Sequence, residues 1–296
     1  MSGTPAVGDK GWLINIGGGK RIAISLNGGV PPTPGTLLKK FAISPTGIYI
    51  GNGTGIWAVN ETTVYHYSIT GSFIGSFSTS PYTGSLWDIV VDSTGNIYVS
   101  ALSGDYSSYI TKFKSDGTYI TRWDASVSYM DRLCIDSLNR IYLQTSSTTI
   151  GVYNTTGTLL GSIGMSGALA PGAGIDLDGA KNVYIAILDL AQIRKESSDW
   201  INEAWNVGTS GSGDLQFNSP WGLAVDKETG YIYVSDRGNN RIEILNPDGT
   251  YKGQWTSYVE GGETKYFANL GDIAVDSRSG VYVVCSAGLL KFAGLT

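Results

Sequence analysis

The chain has little of what most catalytic sites are made from. It holds one histidine, His66, and two cysteines, Cys134 and Cys285, in 296 residues. That count excludes a zinc site built from several His or Cys ligands. A His-dependent triad would rest on His66 alone, with a Ser or Cys and an acid placed around it. His66 sits in the alternating run Val64-Tyr65-His66-Tyr67 and reads as a surface or packing residue of a strand. The two cysteines lie in apolar, strand-like contexts and read as small buried residues rather than a redox pair. No apolar run approaches ~20 residues, so no membrane span is expected. The start, MSGTPAVGDKGW, has no basic stretch followed by an apolar one, so no secretory signal is readable. Lys and Arg total 20 against 25 Asp and Glu, and the net charge is −5. With no basic stripe, a nucleic-acid partner is not expected; Lys39, Lys40 and Arg132 form the one local basic patch. No long amphipathic helical pattern appears either.

What is abundant is glycine, 41 residues, together with Tyr, Trp, Thr, Ser, Val and Ile. These compositions favour an all-β chain, and closed all-β folds of this length are often one domain. The segment 217–255, FNSPWGLAVDKETGYIYVSDRGNNRIEILNPDGTYKGQW, is the clearest unit. Its apolar runs 223–225, 231–234, 241–245 and 251–255 are separated by turn residues. That is a four-stranded antiparallel meander. Its inner core Leu223-Ala224-Val225-Asp226 recurs at 41–44, 89–92, 133–136, 175–178 and 273–276. A second strand centred on tyrosine follows each: Tyr49, Tyr98, Tyr142, Tyr184, Tyr233 and Tyr282. Six copies at this period signal a propeller. Cys134 and Cys285 then fall in opposite blades, too far apart to bridge.

Pro220, Gly222, Ala224-Val225-Asp226, Tyr233-Val234, Asp236, Asn239, Arg241-Ile242 and Gly249 resemble an NHL repeat, the blade unit of a β-propeller. The resemblance implies an all-β, six-bladed β-propeller of four-stranded antiparallel blades over residues 38–296. It also implies that Asp236 and Arg241 hold neighbouring blades together. Only five fourth strands are visible, so the ring should be closed by an N-terminal strand. Residues 1–37 hold Trp12–Ile16 and Arg21–Leu26 around a glycine turn, a hairpin pattern. Arg21–Leu26 is expected to be the closing outer strand of the last blade, removing the exposed sheet edge.

In a propeller the residues leading into the inner strands surround one mouth of the central channel. Lys39, Lys40, Trp87, Asp88, Asp131, Arg132, Trp221 and Asp272 are therefore the candidate binding residues. Trp57 joins them from the long loop expected between the second and third strands of the first repeat. Polar groups beside aromatic walls make a binding site; the same charges paired with one another make a plug. The aspartates ending the inner strands, Asp92, Asp136, Asp178, Asp226 and Asp276, read as turn residues. Lactonase-like propeller hydrolases place a calcium-binding Glu where this chain has Lys39-Lys40. Asp88, Asp131 and Asp272 are oxygen ligands in type, but Lys40 and Arg132 oppose a cation there. No cofactor, metal or catalytic residue is assigned. The expected function is a non-enzymatic module binding a protein or glycan. Its low-charge, Ser/Thr/Gly/Tyr-rich composition also suits an oligomer or a subunit of an extracellular or virion assembly. The alternative is a metal-dependent hydrolase or lyase with an atypical site.

Overall fold

Each blade forms because its strands alternate buried apolar residues and its turns carry the residues that tight reversals need. The computed structural model describes residues 11–15, 21–25, 35–51, 55–102, 108–124, 132–164, 174–199 and 203–295. Within them lie six four-stranded antiparallel sheets. Blade 5 is the segment read most clearly from sequence: Pro220–Val225, Ile232–Asp236, Arg241–Leu245 and Tyr251–Trp255. Blades 2, 3 and 4 repeat this arrangement over 85–124, 133–164 and 175–207.

The core is not central but divided. Six apolar clusters each join two adjacent blades around the ring. Tyr98, Tyr142, Tyr184, Tyr233 and Tyr282 are fully buried in them. A buried phenol needs a partner. Tyr98, Tyr142, Tyr184 and Tyr282 donate to Asp92, Asp136, Asp178 and Asp276 of their own blades, at 2.8, 3.2, 3.1 and 3.0 Å. Each of these aspartates also accepts two backbone N–H groups of the turn that follows it. The turn role expected of them is what the structure shows. Tyr233 instead accepts the Leu295 N–H at 2.9 Å.

Two sequence expectations are corrected. The closing outer strand of blade 6 is Leu37–Phe41, which pairs with Gly288–Ala293. Arg21–Ser25 pairs with Gly11–Asn15 in a separate two-stranded sheet. The physical reason is the turn. Gly35, at φ +80°, donates its N–H to Ala293 O and starts the closing strand. Gly71, Gly117, Gly157 and Gly249, at φ +81 to +87°, occupy the same place in blades 1, 2, 3 and 5. The ring is thus closed by an N-terminal strand, but not by the one expected.

The second correction concerns blade 1. Its strands are Gly47–Gly51, Gly55–Asn60, Thr63–Tyr67 and Phe73–Ser78. Residues 48–50 are innermost rather than second, and residues 41–44 are not the inner strand. The expected loop at 51–63 contains a buried strand, Gly55–Asn60. Trp57 replaces the tyrosine of the other blades and stacks on His66, with rings 3.7 Å apart and 7° from parallel.

Candidate functional site

The inner strands leave backbone N–H groups facing the channel, and a buried N–H must find an acceptor. Three aspartates supply it. Asp88 enters through a bulge after Leu86. Its Oδ1 accepts the Ile89 N–H and its Oδ2 the Leu133 N–H of blade 3, both at 2.8 Å. Asp176 of blade 4 accepts the Leu177 N–H at 2.8 Å and the Val225 N–H of blade 5 at 2.9 Å. Asp272 of blade 6 accepts the Ile273 N–H at 3.0 Å and the Ile48 N–H of blade 1 at 2.9 Å. Alternate blades therefore clamp the next blade through a carboxylate.

Arg132 crosses the mouth. It stands before the inner strand of blade 3 and reaches Asp272 of blade 6, opposite in the ring, at 3.0 Å. The same guanidinium nitrogen donates to Thr46 O at 3.3 Å. Asp272 pairs with this guanidinium, and Asp88 lies within its field. Burial, then the charge of Asp272, pushes Asp88 up to about 8, with Arg132 opposing. Burial also raises Asp272, again against Arg132. Asp88 therefore holds its proton to a higher pH than an ordinary carboxyl does. The space among these groups is about 60 Å³, enough for a few waters.

The other end of the channel widens to about 470 Å³. Tyr49, Lys227 and the turns following the inner strands line it. Lys227 Nζ lies 3.6 Å from Asp176 Oδ1. The Asp176 charge raises the lysine pKa, outweighing burial, so the ammonium persists. Burial raises Tyr49, which stays a neutral phenol.

The family model of the NHL repeat matches residues 217–245, most of blade 5. NHL repeat-containing protein 3 of Mus musculus is 25% identical over 195 residues, covering 59% of this chain and 56% of that protein. Blade 5 of this six-bladed propeller carries an NHL repeat. A shorter match, to the E3 ubiquitin-protein ligase TRIM71 of Gallus gallus, is 50% identical over 46 residues, 16% of this chain and 5% of that protein. The propeller spans about half the length of the first relative and a small part of the second. Among solved structures, a streptogramin B lyase superposes with a TM-score of 0.60 at 12% identity, over 86% of this chain and 95% of that one. At that identity the likeness is one of fold.

The propeller brings together only part of the set expected from sequence. Asp88, Arg132 and Asp272 meet in the mouth. Trp87 and Trp221, both half-buried, flank it on blades 2 and 5, and Arg237 lies 4.9 Å over the Trp221 ring. Lys39 and Lys40 are not at the mouth, because their strand is the outermost of blade 6. Lys39 donates to Thr70 O at 2.9 Å, and Lys40 pairs with Glu260 at 3.1 Å. Trp57 is a buried second-strand residue, and Asp131 lies outside the described residues. Tyr49, Asp176 and Lys227 were missed. Asp176 was legible as a charge interrupting the apolar run 175–177. Lys227 was legible as the one long side chain where other repeats follow the turn aspartate with Ser or Gly.

Asp236 and Arg241 join strand to connector. Arg241 Nε donates to Asp236 Oδ2 at 2.8 Å, and its other nitrogens reach Ser212 O at 2.9 Å and Gly213 O at 2.8 Å. They fasten the 208–219 connection between blades 4 and 5. His66 is taken up by its stack on Trp57. Cys134 and Cys285 are buried free thiols in blades 3 and 6, and burial raises both.

Proposed function

We propose that this propeller is a non-enzymatic recognition module that binds a protein partner on the face around the Arg132–Asp272 mouth. The observation that carries the reading is how the mouth's polar groups are used. Asp88 and Asp272 spend their oxygens on backbone N–H groups and Arg132. Arg132 also opposes the hard cation that a lactonase-like reaction would require.

The same side presents groups suited to protein contact. The connection from blade 5 to blade 6 forms a hairpin, Ser257–Glu260 with Glu263–Tyr266. Tyr258 anchors it among Phe267 and Phe292, and Glu260 is tied to Lys40. On this fixed base Val259 is 59% and Tyr266 75% exposed. Trp221 under Arg237 lies on the neighbouring blade. Tyr, Trp and Arg are the residues that dominate binding hot spots.

A photo-crosslinking residue placed at Tyr266 in the source cells tests this. A discrete protein adduct, lost in Trp221→Ala/Arg237→Ala, is expected. No adduct above background would remove the reading. Its finer form is a subunit of an extracellular or virion assembly. Light scattering with elemental analysis checks that form: a metal-free oligomer fits it, and a monomer with stoichiometric calcium overturns it.

A further inference from the structure

The wide end of the channel is unused by the clamps and by the proposed protein contact. Its 470 Å³ falls within the ~300–1,000 Å³ of small-molecule sites. The cavity exists because of one sequence position. The residue after each turn aspartate faces it: Ser93, Ser137, Gly179 and Ser277 are small, and only Lys227 is long. Lys227 is 52% exposed although it lies inside the ring. The solvent it meets is that of the cavity.

The floor is chemically mixed. The Lys227 ammonium stands 3.6 Å from Asp176 Oδ1, an ion pair too long for a tight hydrogen bond. It therefore keeps donors for a guest. Tyr49 adds a phenol that lines both the floor and the narrow channel. The turn serines add hydroxyls at the wall. Asp92 and Asp276 are saturated by their own turns, so they contribute negative field rather than acceptors. With Asp136, Asp178 and Glu228 also on the lining, that field disfavours an anionic guest, and carboxylates already engaged by their turns offer a cationic one little pairing. A neutral guest bearing several hydroxyls finds both donors and acceptors.

We propose that this vestibule binds one neutral, hydroxyl-rich small molecule of monosaccharide or cyclic-polyol type, held by Lys227, Tyr49 and the turn serines. The inference is independent of the protein-binding reading, which uses the opposite end of the channel.

Calorimetric and ligand-observed NMR titrations of the full chain test it. The probes are D-glucose, D-galactose, L-arabinose and myo-inositol, with D-glucuronate and D-glucosamine as charged counterparts. Saturable one-site binding of at least one neutral probe is expected. Lys227→Met should weaken it about tenfold or more, the scale of a lost charge-assisted hydrogen bond. Tyr49→Phe should weaken it less. Ser137→Trp, at an exposed wall position, should abolish binding while the fold, checked by circular dichroism, persists. If Lys227→Met fails to fold, Ser137→Trp and Tyr49→Phe decide. No saturable binding of any neutral probe would overturn the proposal. So would binding unchanged in Ser137→Trp, or tighter binding of either charged probe.

Discussion

Asp88 lies within the inner strand Ser85–Val91 and Asp92 just past its end, and the two titrate in opposite directions. Burial alone would raise Asp92, but hydrogen bonds from Asn96, Thr94 and Tyr98 outweigh it and hold the carboxyl below its usual range. Stability from Asp92 is therefore present above the ordinary carboxylate pKa and is lost as pH falls through the lowered one. Asp276, lowered by Lys291 and its turn against burial, acts the same way. Asp88 is raised to about 8. Its contribution is complete below the ordinary carboxylate pKa and declines as pH rises towards 8. Glu243, raised by burial to about 7, adds the same slope. Thermal melts should thus show a fall in midpoint between about pH 5 and pH 8. Asp88→Asn should flatten that fall while lowering stability at pH 5, because an amide nitrogen cannot accept one of the two backbone N–H groups. An unchanged slope would show that Asp88 is not the titrating group. Tyr98→Phe removes the 2.8 Å bond to Asp92 and should cost about 1 kcal/mol in denaturant unfolding.

The reversals between third and fourth strands do two jobs with one glycine. Gly157 has φ +85°, and a β-carbon there would lie 2.6 Å from the Trp123 ring of blade 2. Gly95 has φ +86° with open space around it. Both Ala substitutions meet the left-handed backbone cost of roughly 1 kcal/mol. Gly157→Ala must also displace Trp123, so it should destabilise by about 1–3 kcal/mol more, measured by urea unfolding. Equal losses would mean that Trp123 gives way freely. Arg241→Ala strips the cation from two buried carboxylates, Asp236 and Glu243. It should cost about 3–5 kcal/mol and speed amide exchange in 209–217. The strand order of blades 2 to 5 was readable because turn, tyrosine and aspartate recur together. The closing strand was equally written in the chain, since Gly35-Thr36-Leu37-Leu38 matches Gly117-Thr118-Tyr119-Ile120 and Gly157-Thr158-Leu159-Leu160. The sequence points to 21–26 instead because a glycine hairpin resembles an edge strand in pattern alone. Blade 1 misled for a similar reason. Ile48-Tyr49-Ile50 imitates the second strands, and only the count of four per sheet moves it to the channel.

At the scale of the whole molecule, ring closure is the feature on which stability depends. Leu37–Phe41 is the only outer strand blade 6 has among the described residues. A chain starting at residue 42 should lose cooperative unfolding and expose the Gly288–Ala293 edge. A chain starting at residue 35 should retain its midpoint. Loss in both would place the closure further upstream. The repeat period, the all-β class, the number of blades and the turn aspartates were set by the sequence itself, because each is a local pattern repeated along the chain. Which strand closes the ring, which strand of blade 1 is innermost and which charges meet were decided only by tertiary structure. Arg132 and Asp272 lie 140 residues apart along the chain and 3.0 Å apart in the fold. The mouth and the vestibule arise from the same geometry. A sixfold ring brings one position from every repeat to a common axis, and the local pattern does not say which side chains fill that axis and which leave it open.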